Sequence, residues 1–435
     1  MRETARAAGA AALAASSAGR ALGANDRVIV GLIGCGGRGR YVAQLIREAP
    51  GVEYAAAADV YLPNAERARE WAGPKAQAYQ DFRRLLDRKD IDAVQIATPD
   101  HWHAIITVLA CQAGKDVYVE KPLAHNVREG RAMVEAARRA NRVVQAGTQH
   151  RSAPHFREVQ QIIQSGKLGK VNWVRVWNYV NMFPQGIGHE ADSEPPEGLD
   201  WNFYLGPAPL VPFNRKRFLV TYRWFWDYSG GYITDFGTHR FDTVQQVMGV
   251  TAPKTIAASG GRFSVRDDGE IPDVLQVTYE YPGFVLSYES CLLNGHGVGG
   301  RTPGMKYYNA RGAEDRPNGM AYYGTYGALY ADRVGYEIYP EPSRPGLEPV
   351  ERAHMNTTDA TRLHAANFIE CVRSRNKPAA DVEIGHRSTT VAHLGNIAFK
   401  TGKKLHWDAD TEEFRDDGEA SRLLARPARK PWDLI

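Results

Sequence analysis

The feature that most constrains this chain is the run Gly34-Cys35-Gly36-Gly37-Arg38-Gly39, which follows the apolar stretch Val28–Ile33. Glycines at the first, third and sixth positions between a strand and a helix make a phosphate-binding turn. Gly34 permits the tight turn, Gly36 lets the backbone approach a pyrophosphate, and Gly39 allows close helix–strand packing. The helix N-terminus then offers free N–H groups to phosphate oxygens. Cys35, Gly37 and Arg38 complete this cofactor cradle. Asp59 stands twenty residues past Gly39, where a carboxylate can bond the adenosine ribose hydroxyls. The residues after it are Val60, Tyr61 and Leu62. They supply no cation for a 2′-phosphate, so NAD is favoured over NADP.

The surroundings supply the context such a loop needs. Apolar runs at Val28–Ile33, Tyr54–Ala58, Ala93–Ala97, Asp116–Val119 and Val143–Ala146 alternate with helical patterns at Tyr41–Glu48, Ala104–Ala113 and Val127–Ala140. This alternation predicts an α/β fold, a doubly wound parallel sheet. After residue 150 the rhythm changes. Helices are expected at His155–Ser165, Thr234–Met248, Asp359–Arg373 and Ile384–Lys400, and strands at Val171–Val180, Val274–Tyr281, Phe284–Cys291 and Tyr322–Arg333. Asp192–Gly198 and Gly206–Pro212 are rich in Pro and Gly and read as loops. Leu275, Val277, Tyr279 and Tyr281 share one strand face while Gln276, Thr278 and Glu280 take the other, as in a sheet covered on one side. The second domain is therefore α+β, on a large, mainly antiparallel open sheet. With 435 residues, more than one core usually serves, the chain divides into residues 1–24, a Rossmann domain 25–150, and a substrate-binding and oligomerisation domain 151–435.

Other classes are disfavoured. The net charge of +4 is spread without basic runs, which argues against nucleic-acid binding. Cys35, Cys111, Cys291 and Cys371 form no C-x-x-C pair, so a zinc site is not expected, and most should be buried thiols. No stretch reaches the roughly 18 apolar residues of a membrane span. Residues 1–24 form a separate case. A small-residue run, Ala8–Ala18, follows Arg2 and Arg6, and Ala21-Leu22-Gly23-Ala24 resembles a peptidase site. Export to the periplasm is the expectation, and a cytoplasmic location if the signal is not functional.

Three further motifs carry chemistry: Thr98-Pro99-Asp100-His101-Trp102-His103, Glu120-Lys121-Pro122, and Asp235-Phe236-Gly237-Thr238-His239. Lys121 follows a parallel strand at the sheet's carboxyl end, where ligands bind in such folds. Its ammonium can polarise a reacting oxygen. On an α-helix, Asp235 and His239 at i, i+4 share one face, and a carboxylate beside an imidazole supports proton transfer. Trp224 and Trp226 beside this pair suit stacking on a sugar. His101 and His103 have no acidic cluster near them in sequence, so no metal is expected.

Taken in this order with the glycine loop, these motifs resemble the Gfo/Idh/MocA family, which includes glucose-fructose oxidoreductase and inositol 2-dehydrogenase, over nearly all of the chain from Asp26. The segments Trp224–Gly231 and Asn367-Phe368-Ile369-Glu370 resemble an exported bacterial subgroup. The resemblance implies a catalytic Lys121 before a cis Pro122, His239 as general acid/base, and Asp235 binding substrate hydroxyls or orienting His239. It implies cofactor contacts from Thr98, Pro99, His101, His103, Glu120, Lys121 and Gln149. Candidate substrate contacts are Arg151, Tyr179, Arg223, Trp226, Tyr228, Asp235 and His239. A homo-oligomer, dimer or tetramer, built on the open sheet is implied as well. The function expected is NAD-dependent hydride transfer at a ring hydroxyl of a sugar, glycoside or cyclitol, with C3 of a glycoside the most specific case. The alternative is a redox-neutral glycosidase that oxidises, eliminates, hydrates and reduces on tightly held NAD. The intact Glu120-Lys121-Pro122 favours the dehydrogenase. Lys121, Asp235 and His239, kept together, argue against a non-catalytic NAD sensor.

Overall fold

The computed structural model describes residues 27–298, 316–343, 353–354, 359–415 and 417–433. Residues 1–24, with their expected export signal, lie outside them. The first sheet is formed by β1 (Val28–Ile33), β2 (Val52–Ala58), β3 (Gln77–Tyr79), β4 (Ala93–Ile96), β5 (Asp116–Val119) and β6 (Val144–Ala146). All neighbours are parallel, in the order β3-β2-β1-β4-β5-β6. β1 and β4 are adjacent although not consecutive, so the strand order reverses between them. The crevice at that switch point is where such sheets bind ligands.

Two helices begin earlier than their apolar periodicity suggests. One spans Gly37–Arg47 and another Asp100–Gln112. In both, the first turn meets the cleft or the loops around it, so it lacks the apolar period of the turns that follow, Trp102 being its lone large apolar residue. β3 was not expected: it is a three-residue edge strand without an apolar run.

The second sheet has ten strands: β7 (Val171–Tyr179), β8 (Thr255–Gly261), β9 (Val274–Tyr281), β10 (Phe284–Cys291), β11 (Asn318–Gly324), β12 (Gly327–Asp332), β13 (Gly335–Pro340), β14 (Ala353–His354), β15 (Leu405–Asp408) and β16 (Glu413–Phe414). Their order is β14-β13-β12-β11-β7-β10-β9-β8-β15-β16. β7 and β10 pair in parallel, and the other pairs are antiparallel. The stretch expected as one strand at Tyr322–Arg333 is a hairpin of β11 and β12, turning at Thr325-Tyr326. One face packs Val174, Val277, Leu286 and Tyr322 against Phe156, Phe241 and Leu394 of three helices. The other face leaves Trp173 and Val285 exposed. The helix Ala360–Ser374 crosses back, burying Phe368 and Ile369 against Val42 and Leu45 of the Rossmann half.

One segment of the second domain leaves its sheet and runs over the Rossmann crevice. Leu199 bridges Tyr61, and Gln80 Nε2 donates to the carbonyls of Val60 and Gly198, both at 3.0 Å. The indole of Trp102 donates to Tyr204 O at 2.8 Å. Gly206 fits flat on Trp102: a Cβ there would lie 2.2 Å from the indole. The C-terminal tail fastens this roof, for Arg429 donates to Gly206 O and to Asn202, and Trp432 stacks on Phe203. Among the described residues no helix is long and apolar enough to cross a membrane.

Candidate active site

The floor of the crevice is the glycine loop. Gly34 has φ +87°, and a Cβ there would lie 2.5 Å from the carbonyl carbon of Ala97. A Cβ at Gly39 would lie 2.1 Å from Gly34 O. These two glycines are required by packing. Gly36 is different, for a Cβ there meets nothing within 4 Å. Its backbone is bare toward the cleft, which is what a pyrophosphate needs. Asp59 accepts from the amides of Cys35 at 2.8 Å and Tyr61 at 2.9 Å. Burial pushes its carboxyl up, and these amides work the other way. Arg38 donates from Nε to Glu120 at 2.7 Å, tying the glycine loop to the end of β5. The cleft holds about 310 Å³ and runs from Gly34, Gly36 and Asp59 past Thr98, Pro99 and Glu120 to Lys121 and Arg223. Phe203, Tyr204, Phe218, Leu219, Val220 and Tyr222 of the roof close its far side. A dinucleotide fits this lining, with acidic Asp59 at one end, bare backbone next to it, and charged side chains at the other.

At that charged end, Lys121 Nζ donates to the carboxylate of Asp235 and, at 3.0 Å, to its carbonyl. The Lys121-Pro122 bond is cis. Arg223 Nε lies 3.3 Å from the same carboxylate oxygen. Burial would raise the Asp235 carboxyl, but the charges of Lys121 and Arg223 outweigh it and hold the group well below the usual carboxylate range. Asp235 lies in a π-helical turn, Ile233–Gly237, before the α-helix Thr238–Met248. Such turns recur at functional sites. The wider turn corrects the expectation that Asp235 and His239 pair on one helical face. Asp235 faces Lys121 and Arg223, whereas the His239 ring packs on His150 at 5.0 Å. His239 is buried, and its Nδ1 has no hydrogen-bond partner among the described residues. Burial, then Arg333 and His150, hold its imidazole well below the usual range, so it is neutral. Thr243 Oγ1 donates to His239 O at 2.9 Å, so His150 Nδ1–H donates to that hydroxyl at 3.2 Å, and His150 Nε2 accepts from Arg333 at 3.1 Å.

The comparisons with known proteins agree with this geometry. Residues 28–148 match the profile of the oxidoreductase family, NAD-binding Rossmann fold, and residues 153–281 and 345–434 match that family's C-terminal alpha/beta domain. The chain belongs to the Gfo/Idh/MocA oxidoreductase family. It is therefore an oxidoreductase with an NAD-binding Rossmann domain. It is 22% identical to levoglucosan dehydrogenase of Pseudarthrobacter phenanthrenivorans over 371 residues, 79% of this chain and 85% of that protein. It is 31% identical to inositol 2-dehydrogenase of Salmonella typhimurium over 142 residues, 32% of this chain and 42% of that protein. A match to an uncharacterised oxidoreductase of Bacillus subtilis, 26% identical over 58% of this chain, likewise spans under two thirds of its relative, at 64%. A solved levoglucosan dehydrogenase in complex with NADH and levoglucosan has the same fold, with TM-score 0.64 and 18% identity over 87% of this chain and 99% of that one.

Several Gfo/Idh/MocA site residues expected from sequence sit elsewhere. The Cys35 thiol is buried and bonded to Ala58 O, so this residue serves Asp59 through its amide. His101 bonds Tyr204 O at 2.9 Å, pinning the roof. The ring nitrogens of His103 face the carbonyls of Pro122 and Thr98 at 2.8 and 2.9 Å, bracing two loops from behind. Tyr179 bonds Glu289 on the sheet's outer face, away from the cleft. Lys400 covers one face of the half-buried Trp226 ring at 3.9 Å, and Trp226 does not line the cleft. Tyr228 is fully buried between His101 and Phe225. Arg151 is committed to buried Asp242 at 2.8 Å. Gln149 is buried near His150, its Oε1 without a partner among the described residues. Sequence reasoning missed the roof residues Phe203, Phe218, Leu219, Val220 and Tyr222. It named Asp100 within a motif but gave it no role; Asp100 accepts from Tyr222 OH at 3.0 Å and Ser229 Oγ at 2.5 Å.

Proposed function

We propose that this oxidoreductase moves a hydride between nicotinamide and a ring hydroxyl of a sugar, glycoside or cyclitol, with C3 of a glycoside the preferred position. The observation that carries this reading is the junction of Lys121, Asp235 and Arg223 at one end of a cleft whose other end carries the glycine loop and Asp59. The relatives' named substrates, levoglucosan and inositol, are both polyols. When bound, the nicotinamide supplies the hydride acceptor. The protein must hold the hydroxyl, take its proton and stabilise the partial negative charge on its oxygen. Lys121, which lines the cleft, would donate to that oxygen. Asp235 is ionised and can accept from a neighbouring ring hydroxyl. Neutral His239 is ready to take the proton.

The test is purified protein with NAD and a panel of glycosides and cyclitols, read by NADH formation and product mass. A product lighter by two hydrogens supports the dehydrogenase. Free aglycone with regenerated sugar and no net NADH would mean the redox-neutral glycosidase instead.

Two further readings stand beside this one. We propose that the outer face of the ten-stranded sheet joins copies of the chain into a dimer or tetramer, because Trp173 is 41% exposed there and stacks with Tyr323. Light scattering should give a multiple of the chain mass that Trp173→Glu lowers. We propose that residues 1–24 direct export; periplasmic protein beginning at Asn25 would support this.

A further inference from the structure

We infer that Asp100 is a positioning residue that holds both members of the Arg223–Asp235 pair in place at the end of the cleft. This deepens the proposed function and rests on its placing of Asp235 beside the substrate. Asp100 opens the helix Asp100–Gln112, directly after Thr98 and Pro99, which line the cleft. It is buried, and its carboxylate meets the second domain: Oδ1 accepts from Tyr222 OH at 3.0 Å and Oδ2 from Ser229 Oγ at 2.5 Å. One carboxylate of the Rossmann half thus ties down both ends of the segment Tyr222–Ser229.

Each end of that segment serves one member of the pair. At the first, the Arg223 guanidinium lies 4.7 Å over the Tyr222 ring, and Arg223 Nε stands 3.3 Å from the Asp235 carboxylate. The ring that Asp100 fixes is therefore the bed from which Arg223 reaches Asp235. At the second, Ser229 leads into Gly230 and Gly231. Gly230 N donates to Thr234 Oγ1 at 3.1 Å, and the amide of Asp235 donates to Gly231 O at 2.9 Å. The Ser229 bond therefore steadies the entry to the π-helical turn that presents Asp235.

An acidic residue in the first turn of a helix often serves only the helix dipole. Here the carboxylate is buried, which costs desolvation, and each of its oxygens takes a hydroxyl of the second domain. Asp100 and Asp235 both face Lys121 and Arg223, so two carboxylates meet two cations. What Asp100 adds beyond charge is direction, because its two bonds fix where Tyr222 and Ser229 stand. A misplacement of about 1 Å at a reacting centre can cost on the order of a hundredfold in rate.

The experiment joins a double-mutant cycle to hydrogen exchange on the full chain. Asp100→Ala should lower kcat by about tenfold while the Kd for NAD changes less than about threefold. Tyr222→Phe and Ser229→Ala, which each delete one bond and keep the carboxylate, should each give part of that loss. In an Arg223→Gln background, Asp100→Ala should cost less than about threefold more, because the residue it aims is gone. Full additivity in the cycle, or a loss of NAD affinity as large as the loss of kcat, would overturn the inference. Hydrogen exchange needs no substrate. Read by mass spectrometry, it should quicken across residues 219–235 in Asp100→Ala and stay as in wild type at residues 202–206, which Trp102 and Arg429 hold. Equal quickening in both segments, or none in either, would overturn the inference too. If Asp100→Ala does not fold, the two hydroxyl deletions carry the same cycle and the same exchange test. A protein that oxidises no polyol would sink the proposed function, and the exchange pattern would still decide whether Asp100 holds this segment.

Discussion

The floor of the cleft works through backbone. Gly36 presents bare main chain, the amides of Cys35 and Tyr61 hold Asp59, and the side chain of Arg38 only ties the loop to β5. The roof works through side chains. Trp201, Tyr204, Phe213, Phe218, Phe225 and Tyr228 form their own apolar cluster, packed on Val60 and Tyr61 of the floor. A backbone device tolerates almost no change at its glycines, yet its spacing is fixed and local. An aromatic roof needs only enough buried area and a few pins, so many sequences could build it. Leu219 marks where the roof meets function: it lines the cleft at φ +53°, a strained conformation for a residue with a Cβ.

The largest break between floor and roof should come at the chemistry. Lys121→Met keeps the length and removes the charge, so kcat should fall by about 10³-fold while NAD affinity stays within a few-fold. Loss of NAD affinity on the same scale would place Lys121 in cofactor binding. Within the floor, two glycines separate packing from ligand. Gly36→Val, whose Cβ meets open space, should leave the melting temperature near wild type. It should weaken NAD about a hundredfold, some 2.7 kcal/mol. Gly34→Ala should instead cost at least 1–3 kcal/mol of stability, from its positive φ and its clash with Ala97. Equal melting temperatures for the two variants would show that the backbone argument is wrong.

The same contrast explains what could be read before any coordinates. Periodicity found β1, β5, β9 and β10 to the residue, because each is a run with one or both faces buried. Glycine spacing found the cradle, because the turn demands those residues at those places. The roof stayed hidden. Gly206–Pro212 reads as a loop and is one, but nothing local says that it lies on Trp102. Trp226 and Tyr228 looked like sugar platforms beside a catalytic pair. Tertiary packing used one to carry Lys400 and the other as roof core. The π-helical turn at Ile233–Gly237 was equally silent, since Asp235 and His239 have the same spacing in either helix.

If the roof is a cover, loosening it should act on cofactor exchange before chemistry. Trp432→Ala removes the indole that stacks on Phe203 and meets Trp102, at a cost of about 3 kcal/mol. NAD dissociation, followed by stopped-flow fluorescence, should speed up about tenfold, or 1.4 kcal/mol, with kcat changed less than about threefold. A lower melting temperature with unchanged dissociation would reduce the roof to structural ballast.

The effect expected furthest from the chemistry is a dependence on pH at the seam where roof and floor meet. His101 is fully buried and donates from Nε2 to Tyr204 O. Burial, and next to it Arg426, push its imidazole down to about 3. In the unfolded chain it titrates near 6.5. Between these values the unfolded state binds the extra proton, so stability falls as pH falls below about 6.5 and levels off only below the folded value. At pH 5 the loss from this one ring is about 2 kcal/mol relative to pH 7. Gln at this position keeps an N–H for the Tyr204 carbonyl and cannot titrate. His101→Gln should therefore cost stability at pH 7, where a well-fitted ring is lost, and recover most of the difference by pH 5. Parallel melting curves for the two proteins across that range would mean that the seam does not sense pH through His101. The acid sensitivity would then belong to other buried rings, such as His364 or His393, both held near 4 by burial.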